Sequence, residues 1–178
     1  MADTTDTDGG LPPGTIHVGT VNLSGKRPGT FASGVVKLWN DPVRDLFHNA
    51  LSFRKAAARC LNDSKVEPGI EMLTVPGAVC AALACELFLK FIHLVESGAH
   101  PTGHDLFGLF NGLSQPIRTS LVDQRPDIED VLQRNRSHFL EARYHHEVEQ
   151  FSFRQQELLQ LADSLSACVQ DRYRDKLA

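Results

Sequence analysis

Between Val75 and Val95 the chain is apolar on nearly every side, and this stretch limits what the rest can fold into. Pro76 suits the first turn of a helix, where its missing N–H costs nothing, and Gly98 can take the positive φ that ends one. A helix with almost no polar face must have neighbours on several sides, which predicts the interior of a helical bundle. A membrane span of about 20 residues would rarely tolerate Glu86, Lys90 and His93 together, so a buried core helix is expected and no membrane partner. Glu86, Lys90, His93 and Ser97 are spaced four, three and four, forming a single polar stripe. That stripe must meet water or polar partners, because buried unpaired charge is costly.

Other helices announce themselves by their ends and their period. Asn40-Asp41-Pro42 predicts a helix start, and Val43, Leu46, Phe47, Ala50, Leu51, Phe53 and Ala57 carry the helical spacing to about Leu61. A loop with Pro68-Gly69 follows. HDLFGLFNGL predicts a short helix and 115–123 another; Pro126-Asp127 starts a run to about Glu149 that can break at Asn135-Arg136-Ser137. The last helix is expected from about Phe153 to Asp175, with Leu158, Leu159, Leu161, Ala162, Leu165 and Val169 inward. Before all of these, Met1 to Gly14 has too little apolar surface to offset the entropy of ordering it and predicts a flexible tail. TIHVGTVNLS suggests either a small hairpin turning at Gly19-Thr20 or an arm laid across another surface, with Gly25 to Gly34 as loop. The predicted organisation is a tail or arm over 1–36 and one helical domain over 37–178. The predicted class is all-α, an up-and-down bundle of four to five main helices with an irregular N-terminal arm.

With 178 residues, 42% of them hydrophobic, the chain can fill one core and is short for two. Its 18 Lys and Arg against 22 Asp and Glu give no overall pull toward nucleic acid, so any RNA contact must be local. Cys60, Cys80, Cys85 and Cys168 lack paired spacing and sit among apolar residues, which predicts free thiols in a reducing compartment. Asp3, Asp6 and Asp8 stand where a signal peptide would need basic residues, so a cytoplasmic protein is expected. The phosphate loop, the dinucleotide fingerprint, the Gly-x-Ser-x-Gly elbow and His-Glu-x-x-His are all missing. His100 and His104 have a zinc-like spacing, but Pro101 and Gly103 keep them off one helix face. Neither a metal nor a cofactor is implied.

What remains is a set of polar residues on three predicted helices: Glu86 and Lys90; His104-Asp105-Leu106; and Arg143-Tyr144 with Glu147. The order ALACELFLKFI, a loop, HDLFGLF, FLEARYHHE and a long final helix resembles HEPN-domain proteins over about Asp41 to Arg172. Each motif is moderately specific and the series more so. The resemblance implies an all-α up-and-down bundle, often dimeric, in a superfamily associated with RNA cleavage, toxin–antitoxin pairs and phage defence. Its ribonuclease members carry an Arg and, after four to six residues, a His, acting across a dimer cleft. This chain departs from that pattern: the nearest late combinations are Arg134 with His138 and Arg143 with His145 and His146.

If the chain cuts RNA without metal, Arg143, His146 and His138 are the candidate catalytic residues, a His moving the proton and an Arg stabilising the phosphorane charge. A structural reading competes at each position. Glu86 and Arg143 can pair between helices, with Lys90 or His104 completing a network. Asp105 can cap the short helix; Tyr144 can be a core aromatic with its hydroxyl at the edge; Glu147 can pair with Arg143 one turn back. The leading expectation is a HEPN-like module acting by homodimerisation and by binding RNA or a protein. The alternatives are a metal-independent endoribonuclease and a small-molecule-binding bundle with its pocket between the second and fifth helices.

Overall fold

A computed structural model describes residues 15–21, 32–37, 41–61, 64–66, 69–71, 73–99, 101–144 and 155–177; for the strands and for Ala142, Arg143 and Gln155 it describes the backbone alone. The class is all-α, and eight helices are found among the described residues. They are α1 Pro42–Cys60, α2 Thr74–Ser97, α3 Leu106–Asn111, α4 Gln115–Gln124, α5 Ile128–Arg134, α6 His138–Arg143, α7 Gln155–Arg172 and α8 Arg174–Leu177. Two small antiparallel ladders accompany them: β1 Thr15–Val21 with β2 Ala32–Lys37, and β3 Ser64–Val66 with β4 Gly69–Glu71. The chain divides into two units, Met1–Pro42, which holds the first ladder, and Val43–Ala178.

The long apolar helix is the hub of the second unit. Ala81, Ala84, Cys85, Phe88, Leu89, Phe91 and Ile92 of α2 are all buried, and α3, α6 and α7 pack on it. By length and composition α2 could cross a membrane; in this fold its apolar surface lies against Leu106, Phe110, Leu161 and Leu165 in one core. Contacts give the directions. Cys85 lies by Leu158, and farther along α2 Phe91 and Glu96 lie by Tyr173, the residue that follows α7, so α2 and α7 run parallel. Phe47 of α1 stacks edge-on against Phe88 and tilts on Phe91, while Arg54 pairs with Asp163 of α7. The return path between α2 and α7 is divided among α3 to α6.

The helix ends follow from their residues. Gly98 takes φ 75° and its N–H bonds the Leu94 carbonyl, closing α2 as expected. That helix begins two residues before Pro76, which costs nothing because first-turn N–H groups have no partner within the helix. The break at Asn135-Arg136-Ser137 separates α5 from α6.

The N-terminal expectations need correction. Gly19-Thr20 is not a hairpin turn: β1 runs through it and pairs with β2, from Thr15 opposite Lys37 to Val21 opposite Ala32. Three steps along β1 from Val18 match two along β2 from Gly34, so the Gly-Thr pair is absorbed as a bulge. A second β-branched segment, Val35-Val36, offers a longer ladder than a hairpin folded on itself could make. The loop expected around Pro68-Gly69 likewise contains the β3–β4 ladder. The proposed tail over 1–14 lies outside the described residues.

Candidate functional site

Glu86 sits in the middle of α2, 2% exposed, at the level where the helix meets the segment leading into α3. One turn later Lys90 donates from Nζ to Glu86 Oε1 at 2.8 Å, the favourable order for an acid and a base four apart on a helix. His104, the second residue before α3, places Nδ1 2.9 Å from Oε2 and 3.0 Å from Oε1. The stripe predicted from spacing therefore faces the α3 side of the bundle. An unpaired carboxylate at this depth would be costly, and the ammonium and the imidazole supply its partners.

That anion decides which nitrogen of His104 carries the proton. A carboxylate only accepts, so Nδ1 must donate, and in the neutral ring Nε2 is then a bare lone pair. The His104 side chain is 41% exposed although its partner is buried. Among the described residues Nε2 has no hydrogen-bond partner. The ring also rests on Phe139 of α6, with centroids 4.9 Å apart and planes 34° from parallel. Its neighbour Asp105 caps α3, accepting from the Gly108 N–H at 3.0 Å, and forms an ion pair with Arg136. Since the Leu106 N–H also bonds the Arg136 carbonyl at 2.9 Å, the α5–α6 break is what pins the His104 segment.

An open cleft of about 570 Å³ adjoins this arrangement, walled by His93 and Ser97 of α2, Pro101 and His104 of the loop, and Gly108 and Leu109 of α3. His93 is anchored in the opposite sense: its Nε2 lies 2.8 Å from the Leu109 carbonyl oxygen, so Nε2 is the protonated nitrogen. A side chain at Gly112 would place its Cβ 3.1 Å from His93 Cε1. Glycine there keeps the α2–α3 approach close.

The candidate residues thus separate. Glu86, Lys90 and His104 meet, and Asp105 stands beside them in a capping role. His138, taken as a catalytic candidate, is 3% exposed, and burial holds its pKa below the ordinary value against a smaller opposing effect of Glu141. It faces the interior, so an acid–base role at a solvent-open site does not fit it. Arg134 pairs with Glu157 of α7 at 2.8 Å rather than working with His138. Tyr144, expected in the core, is exposed at the end of α6. The side chain of Arg143, and all of His146 and Glu147, lie outside the described residues, and with them the expected Glu86–Arg143 pair. Sequence reasoning missed Arg136 and Phe139, for which no local signal exists, and left His93 out of the site although it belongs to the stripe. No group of three or more His, Cys, Asp or Glu suited to a metal is found among the described residues. No protein-family model, curated protein or solved structure matches the chain.

Proposed function

We propose that the chain is a HEPN-like helical module that works by binding, and that its recognition site is the cleft beside His104. One observation carries this reading: a buried carboxylate is committed to orienting a half-exposed imidazole at the mouth of a cleft. A purely structural ion pair would be complete with Glu86 and Lys90; adding an imidazole whose far nitrogen stays open serves a ligand. The cleft's volume falls within the usual range of about 300–1,000 Å³ for small-molecule sites. The cleft lies between α2 and α3, not between the second and fifth helices. From the resemblance come homodimerisation and a macromolecular partner, RNA or protein, as further parts of the proposal.

The test is a thermal-shift screen of a small-molecule collection on the wild type and on Thr102→Trp. Thr102 is exposed on the cleft wall, so its replacement fills the cleft without touching the core. Hits that stabilise the wild type by several degrees and lose their effect in the variant support the reading; hits that stabilise both equally oppose it.

A second reading, metal-independent RNA cleavage, is favoured by the bare Nε2 of His104, which is what a general base requires. Incubating total RNA and tRNA with wild type and His104→Ala in the presence of a chelator separates the two. Cleavage by wild type alone would make the module an enzyme, and intact RNA in both leaves binding as the function.

A further inference from the structure

Resting on the reading of this cleft as a binding site, we infer the chemical class of its ligand: a neutral molecule with a mostly apolar body and an N–H or O–H donor, rather than an anion or a cation. Three features of the walls point to it. First, the charges around the cleft are already matched, Lys90 with Glu86 and Arg136 with Asp105. Asp105 is the one formally charged residue on the described lining, and no Lys or Arg stands there. A phosphate or carboxylate entering would find no free cation, and the N-terminal N–H of α3 that could have received it already bonds the Asp105 carboxylate. A cation would find that one carboxylate already engaged by Arg136.

Second, the hydrogen bonds already made by the two histidines and by Ser97 leave those three as acceptors, while the Thr102 hydroxyl can either donate or accept. His104 gives its proton to Glu86, His93 gives its proton to the Leu109 carbonyl, and Ser97 Oγ lies 2.8 Å and 2.9 Å from the His93 and Ala99 carbonyl oxygens, to which it can only donate. Each therefore has its donor engaged and lone pairs left over. Third, apart from Thr102 and Asp105 the remaining surface is apolar, from Ala99, Pro101 and Leu109, or free of side chain, at Gly103, Gly108 and Gly112. An acceptor-rich, charge-matched, apolar cleft selects a planar amide, lactam, phenol or amino-heterocycle.

Benzamide, benzoate and benzylammonium share a ring and nearly a size, and differ in charge and donor. Each is titrated into the full chain at pH 8 while the ring nitrogens of His93 and His104 are followed by long-range ¹H–¹⁵N correlation, with Thr102→Trp as the blocked control. Benzamide is expected to bind on the order of millimolar, as a nine-atom fragment would, to move the His104 Nε2 signal, and to bind at least about tenfold more tightly than either ion. Loss of that shift in Thr102→Trp supports the assignment. Benzoate or benzylammonium binding as tightly as benzamide would overturn the ligand class while leaving the cleft as a binding site. No shift of either ring by any probe at tens of millimolar would overturn both.

Discussion

Two of the acidic residues that tie this helical unit together, Glu157 and Glu86, do so with different consequences. Glu157 of α7 accepts from Arg134 at 2.8 Å and from the buried Asn135 amide at 3.1 Å, tying the end of α5 to the start of α7. Glu86 of α2 accepts from Lys90 and from His104. A guanidinium or an amide nitrogen that donates has nothing basic to offer beyond it. An imidazole that donates through Nδ1 presents a lone pair across the ring. The first cluster therefore ends in structure, whereas the second carries its polarity outward to the cleft.

Stability measurements can break that comparison or sharpen it. Glu86→Ala should have the largest effect, since it leaves the ammonium of Lys90, only 11% exposed, without its partner. Removing one member of a buried pair costs about 3–5 kcal/mol, readable as a lowered urea midpoint. Glu157→Ala removes a more exposed acceptor and should cost about 1–2 kcal/mol; a loss equal to that of Glu86→Ala would erase the distinction drawn here. Asp105→Ala forfeits the α3 cap, worth about 1 kcal/mol, and should also broaden the His104 ring signals. Arg136→Ala, which loses an exposed ion pair, should cost about 0.5 kcal/mol.

His138 supplies a pH test of its burial. Burial holds its folded pKa below the ordinary value for an imidazole, so the unfolded chain binds a proton first. Stability is unaffected above that value and falls as pH drops through it toward the lower folded pKa. In His138→Gln the slope between pH 7 and 5 should be shallower than in wild type. Equal slopes would mean that the ring is not buried as described.

Much of this was legible in the chain because it is local. The all-round apolar run, Pro76, Gly98 and the four-three-four stripe are features of one helix, and they located both α2 and the face on which its polar groups meet α3. His104 and Asp105 stood out because a histidine and a capping acid precede an apolar helical segment. What escaped depends on the chain returning to itself. Arg136 reaches Asp105 across 31 residues, and only because the α5–α6 break folds back on α3. The burial of His138 follows from where that same break turns the next helix. Gly19-Thr20 has the chemistry of a turn, and the partner strand that makes it a bulge begins eleven residues after Val21.

The tautomer of His104 tests the central claim most directly. In a long-range ¹H–¹⁵N spectrum of the wild type at pH 8, Nδ1 should carry the proton and Nε2 should resonate as an unprotonated nitrogen. A proton on Nε2 with Nδ1 bare would mean that Glu86 does not set the ring's outward face, and protons on both nitrogens would remove the outward lone pair; either result would contradict the account.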